Sequence, residues 1–216
     1  MLDGTERDAP SGHGWPEKRQ AIARAAIEIF VREGFARTSV AGIAAEAGVS
    51  KRTLYKHYGD KERLFLTVVE ETLTSLRDRF VTAAKDHLGD VPDPRAGLIA
   101  LGRDWIGSFL LAPDLVALRR LLIAEGAHYP QLVEAWRRTG PDMIQTAVEE
   151  QLSRLHERGL LCIPDVRVAV DRLSALLLYT ANNRVLFGIV PISDEDVERY
   201  TIDGVDAFLG IYGPRA

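Results

Sequence analysis

The stretch that most constrains this chain is TSVAGIAAEAGVSKRTLYKHY, residues 38–58. Two segments of about eight residues, each with apolar positions at helical spacing, meet through Ala47-Gly48-Val49-Ser50. Gly48 can take the positive φ that a sharp turn between helices demands, and Ala44 is small where the two must approach closely. Ile43, Val49 and Leu54 are spaced to pin the pair against a preceding helix, and Ser50 can cap the second segment. This is the layout of a helix-turn-helix, whose second helix enters the DNA major groove.

The neighbouring text extends the helical pattern. Before it, Ile22, Ala25, Ala26, Ile29 and Phe30 recur at helical spacing, Gly34 supplies a stop, and Thr38 or Ser39 caps the first short helix. After Gly59, Asp60 is a plausible N-cap for a long fourth helix, about residues 61–86, with a stripe of Leu64, Phe65, Val68, Val69, Thr72, Leu76 and Phe80. The two prolines of GDVPDP, residues 89–94, break that helix. Beyond it the spacing predicts helices at about 95–111, 114–127, 131–158, 165–188 and 193–211, with Thr139-Gly140-Pro141 kinking or splitting the third. No segment shows sustained period-two alternation bounded by hairpin turns. The fold class is therefore all-α, with about nine helices: a three-helix head and a larger helical domain. The boundaries read as a mobile arm at 1–15, the head at 16–62 and the larger domain at 63–216.

Charge looks unfavourable for a nucleic-acid partner until it is located along the chain. The 216 residues carry a net charge of −4. Residues 16–65 hold ten basic groups against six acids, so this head is +4 and the remainder −8. Lys51 and Arg52 sit at the N-terminal end of the second short helix, where side chains reach base edges, and arginine can bond bidentately to guanine. Thr53, Tyr55, Lys56, His57 and Lys61 offer donors to flanking phosphates, and the helix N-terminus at Ser50 adds backbone N–H groups. The competing reading is a structural hairpin with a solvated basic face.

Other classes have little to support them. The single cysteine, Cys162, excludes an intrachain disulfide framework and a multi-cysteine zinc site, and suits the cytoplasm. There is no apolar leader at the N-terminus and no run long enough to span a membrane. The five histidines form no HExxH pair, and neither GxSxG nor a glycine-rich phosphate loop occurs. Neither catalysis, a cofactor nor a metal is expected.

Residues 18–65 resemble the DNA-binding region of the TetR family of bacterial transcriptional regulators. The matching text is AAIEIFVREGF followed by TSVAGIAAEAGVSKRTLYKHYGDKERLF, with its Ala-Gly-Val-Ser turn, its Thr-Leu-Tyr and a lysine opening the fourth helix. FLLAPDLVALRRLLIAEGAHYPQL resembles one subgroup of that family's C-terminal domains. The resemblance implies a homodimer of all-α subunits, each with a DNA-binding head and an effector-binding, dimerising domain. It implies that Lys51, Arg52 and Tyr55 face bases, and that Thr38, Thr53, His57 and Lys61 contact phosphates. Arg52 stands where many members carry Gly or Pro, so no operator sequence is inferred.

In the acidic remainder, the segment at 165–188 is apolar on more than one face, and Val197, Thr201, Val205, Phe208 and Tyr212 form a stripe on the last helix. Both suit a four-helix bundle with the same pair from a second subunit. The competing reading is a monomer core that covers them. Trp105, Phe109, Trp136, Met143, Tyr179 and Phe187 could line an effector pocket, with Arg119, His128, Asn182 and Asn183 as orienting polar groups. Residue by residue, core is the stronger reading for each aromatic. The functional expectation is a ligand-responsive repressor that binds a palindromic operator on double-stranded DNA and is released by a small-molecule effector, with the fourth helix as lever. The alternative is a helical small-molecule-binding module whose head no longer reads an operator.

Overall fold

The caps written in the sequence set the helix boundaries of the N-terminal third. The computed structural model describes residues 15–188 and 191–214, so the N-terminal arm lies almost wholly outside the described residues. Helix α1 (Trp15–Glu33) ends at Gly34 with φ +79°. Ser39, rather than Thr38, caps α2 (Val40–Glu46), its Oγ accepting from the Gly42 N–H at 3.0 Å. Ser50 caps α3 (Lys51–Tyr58) in the same way through the Thr53 N–H. Asp60 caps α4 (Lys61–Leu88), accepting from the Arg63 N–H at 2.7 Å.

Among the described residues six further helices follow: α5 (Pro94–Asp104), α6 (Pro113–Glu125), α7 (Pro130–Thr139), α8 (Pro141–Glu157), α9 (Val166–Phe187) and α10 (Asp194–Tyr212). The segment expected at 131–158 is indeed two helices. Gly140 ends α7 and Pro141, which lacks an N–H, begins α8 where none is needed. The fold is all-α, and among the described residues no helix is long and apolar enough to cross a membrane. One feature has no forerunner in the periodicity: α5 runs on into a π-helical turn at Trp105–Leu110.

The chain divides into two compact units between Val68 and Val69, within α4. The first unit is built on a phenylalanine triad. Phe30 and Phe35 stack at 5.5 Å, and Phe65 meets their rings edge-on at 4.9 and 5.3 Å. Ile22, Ile43, Leu54 and Leu64 complete that core with almost no exposure. The second unit centres on Phe80, Leu98, Leu101, Val148, Leu152, Leu173, Val205 and Phe208. There α10 approaches α9 closely at Gly204, where a Cβ would lie 3.0 Å from the Leu176 carbonyl oxygen. Paired ions fasten α5 to α10: Arg95 to Asp206 and Arg103 to Glu198, each through two hydrogen bonds.

Candidate nucleic-acid interface and ligand cavity

The turn between α2 and α3 closes as the glycine predicts. Gly48 has φ +66°, the Val49 N–H reaches back to the Ala44 carbonyl at 2.9 Å, and the Gly48 N–H bonds the Ala45 carbonyl at 3.2 Å. This is the paired closure of a left-handed helix stop. A Cβ at Gly48 would meet nothing within 4 Å, so backbone conformation alone demands glycine there, at about 1–2 kcal/mol for any other residue.

Helix α3 then divides cleanly. Leu54 and Tyr58, four apart, are buried, while Lys51, Arg52, Tyr55, Lys56 and His57 are exposed. Lys51 Nζ lies 5.7 Å from the Tyr55 ring centre, a cation held over an aromatic face. The helix carries no acid. Its N-terminus, its cations and an exposed aromatic ring thus share the surface that a major groove would meet.

Three of the residues matched to phosphate contacts are engaged within the head itself. Thr38 is only 3% exposed, and its hydroxyl donates to the Gly34 carbonyl at 2.8 Å. Thr53 shares a hydrogen bond with the Ser50 hydroxyl at 2.7 Å. Lys61 Nζ donates to the carbonyls of Phe35 and Ala36 at 2.8 and 2.9 Å, and lies 4.8 Å above the Phe35 ring. The reason is local: these carbonyls come just after the end of α1 and have no helical partner.

In the second unit, a cavity of about 240 Å³ opens beside the π-helical turn. Trp105, Phe109 and Leu110 of that turn line it, with Leu73, Leu76 and Arg77 of α4, Leu115 and Arg119 of α6, and Trp136 of α7. Gly140, Pro141, Ile144, Gln145, Ser174 and Leu178 complete the wall. A π turn carries an extra residue per turn and occurs often at functional sites, and here it supplies two aromatic walls. Phe80 packs against both, at 5.1 Å from Trp105 and 5.0 Å from Phe109.

Arg119 is the unusual member of the wall. Its Nη1 donates to Asn182 Oδ1 at 2.9 Å and its Nη2 to the Leu110 carbonyl, whereas its Nε is buried with no partner among the described residues. Burial, unopposed by any carboxylate, pushes its pKa down to about 10. The Ser174 hydroxyl is likewise buried without a partner. Arg77, by contrast, is paired with Asp78 at 2.6 Å.

Of the sequence-proposed effector residues, the cavity thus gathers Trp105, Phe109, Arg119 and Trp136, with Asn182 behind Arg119. The others are not in its wall. His128 is exposed in the loop before α7 and Met143 is exposed on α8. Tyr179 and Phe187 are 71% and 75% exposed. Asn183 lies about 100° round α9 from Asn182, on the side of Tyr179 and Phe187. Sequence reasoning missed Leu73, Leu76, Arg77, Leu115, Gln145, Ser174 and Leu178. For Ser174 a signal existed, a lone hydroxyl in the apolar run LSALLL. Among the described residues no cluster of three or more His, Cys, Asp or Glu could hold a metal ion.

Comparison with known proteins agrees with this division. Residues 22–68 match the family model of bacterial regulatory proteins of the tetR family, and residues 96–214 match that of the AefR-like transcriptional repressor C-terminal domain. The transcriptional activator FasR of Mycolicibacterium smegmatis is 34% identical over 160 residues, covering 72% of this chain and 70% of that protein. The transcriptional repressor SCO4008 of Streptomyces coelicolor is 40% identical over 115 residues, 53% of each. The chain spans only 26% and 48% of the length of two other curated regulators, at 33% and 31% identity. A solved TetR-family regulator from Mesorhizobium loti superposes with a TM-score of 0.84 at 34% identity, over 92% of this chain and 98% of that one. With family models matching most of the head and more than half of the whole chain in the larger domain, the chain belongs to the TetR family of bacterial transcriptional regulators.

Proposed function

We propose that this chain is a ligand-responsive repressor that binds a palindromic DNA operator as a homodimer and is released by a small molecule seated in the cavity. The observation that carries the reading is α3: a capped helix beyond a glycine turn, with its apolar side buried and Lys51, Arg52, Tyr55, Lys56 and His57 outward. Residues 16–62 form the reading head and 63–216 the effector-binding and dimerising domain. The protein acts in the cytoplasm, where bacterial DNA is.

The dimer is formed through α9 and α10. Val168, Leu176, Tyr179 and Phe187 are exposed on α9 and fall within one arc of about 100°, with Arg172 and Asn183 inside it, and Ile211 is exposed on α10. An apolar stripe of that width needs cover. A second copy provides it, and sets two reading helices about one helical turn of DNA apart. Release occurs if the effector binds unequally to the DNA-competent and DNA-incompetent conformations. Helix α4 is the lever, since it comes directly after α3 and Gly59 and its later turns line the cavity with Leu73, Leu76 and Arg77.

Selection from a pool of random-sequence duplexes tests this. Enrichment of an inverted repeat with half-sites one helical turn apart is expected. A pool that stays unenriched, while the protein remains folded and dimeric, overturns the operator reading and leaves a ligand-binding module.

A further inference from the structure

The cavity wall holds two arginines and no acid, and the inner arginine, Arg119, lacks a counter-ion. An unpaired buried guanidinium is costly unless something completes it. Its two ordered contacts are neutral acceptors, Asn182 Oδ1 and the Leu110 carbonyl, and they leave Nε–H unused. The Ser174 hydroxyl on the same wall is a second unused buried polar group. Both are donors of the kind a carboxylate accepts from, and the rest of the wall is mainly apolar side chains, among them Trp105, Phe109, Trp136 and Leu178. An apolar cavity of about 150 Å³ holds benzene; the 240 Å³ here admits a ring or short chain bearing one further group.

We propose that the effector is a small apolar organic acid whose carboxylate meets the Arg119 guanidinium and the Ser174 hydroxyl while its hydrocarbon body lies between Trp105, Phe109 and Trp136. This rests on the reading of the cavity as the effector site. The acid supplies the missing counter-charge and answers the two unused donors of the wall. Neutral molecules of the same shape fill the space without supplying that charge.

Trp105 and Trp136 line the cavity and report binding by fluorescence. The full chain is titrated with benzoate, 3-phenylpropanoate, octanoate and decanoate, and with the primary amide of each. At least one acid is expected to bind saturably, and at least tenfold more tightly than its amide. Arg119→Gln is expected to lower that acid to the affinity of its amide, with an unchanged helical circular-dichroism spectrum showing that the variant is folded. Ser174→Ala, which removes one oxygen, is expected to weaken the acid several-fold and to narrow its advantage over the amide. Should Arg119→Gln fail to fold, the wild-type ratio and Ser174→Ala decide the matter. Equal binding of acid and amide, or a preference that survives both substitutions, overturns the acid assignment and keeps the cavity as a ligand site. Binding by none of the eight compounds overturns the effector-site reading and this inference with it.

Discussion

Arg52 and Arg119 carry the same guanidinium, and the two units use it in opposite ways. Arg52 is exposed on a helix of eight residues that bears no acid, beside other cations. Arg119 is half-buried in a cavity wall, held by an amide and a carbonyl, and its charge is uncompensated. The first unit keeps its charge in water, where carrying it costs little and leaves it open to a polyanion. The second unit places one charge where it is expensive, so that only a partner reaching that depth can satisfy it. A surface reader is specified by which residues point out. A cavity is specified by which residues fail to meet.

The contrast can be attacked first at the core of the head. Phe65 has 1% exposure and touches both other phenylalanines of the triad. Phe65→Ala should destabilise the first unit by about 3–5 kcal/mol, through lost burial and the cavity left behind. Urea unfolding monitored by circular dichroism measures this. A loss below about 1 kcal/mol would mean that the triad is not what holds the reading surface in shape.

Next in size is the reading surface itself. Arg52→Ala should weaken operator binding by about 1–3 kcal/mol and relax the preference at a single base pair, as read by competition among duplexes changed one position at a time. An equal loss on every duplex would make Arg52 a phosphate contact instead. Stability should hardly move, since the side chain is exposed.

The same contrast explains how far each unit was legible in the sequence. Ser39, Ser50, Asp60 and Gly48 act over two to four residues, through caps and one positive φ, so the order of residues reveals their roles. The split at Gly140-Pro141 was legible for that reason too. The cavity depends instead on which side of each helix meets which neighbour. Helix α9 carries apolar residues on more than one face, so its sequence leaves open that Ser174 and Leu178 face the cavity while Tyr179 faces away. The π turn at Trp105–Leu110 also escapes periodicity, because an extra residue per turn rotates the downstream side chains by an amount no repeat announces. Lys61 shows the converse: a lysine at the position matched to a phosphate contact also donates to two carbonyls 25 and 26 residues before it.

That engagement makes Lys61 a sharper probe than the sequence suggests. Lys61→Met should lower the stability of the first unit by about 1–2 kcal/mol, by removing charge-assisted hydrogen bonds to the Phe35 and Ala36 carbonyls together with the contact over the Phe35 ring. The slope of log affinity against log salt should stay near the wild-type value, whereas Lys56→Ala, on the exposed side of α3, should flatten it by close to one released counter-ion. A flattened slope for Lys61→Met would return that lysine to the phosphate-contacting set.

The smallest effect concerns the surface ion pairs of the second unit. The hydrogen bond from Arg103 holds Glu198 below the ordinary carboxylate range, and that from Arg95 does the same for Asp206. A carboxyl whose pKa is lower in the folded chain than in the unfolded one contributes stability at any pH above its ordinary value. It loses that contribution as pH falls through the depressed folded value. Acidification from pH 7 should therefore leave these two links between α5 and α10 intact until about pH 4, and weaken them below it. Both pairs are exposed, so each contributes little, and the readout is a slope rather than a collapse. The double variant Arg95→Gln, Arg103→Gln should melt slightly earlier than wild type at pH 7, and the difference should shrink as pH falls below about 4, where wild type has lost the same charges. A difference that stays constant down to about pH 3 would assign these arginines a packing role rather than an electrostatic one.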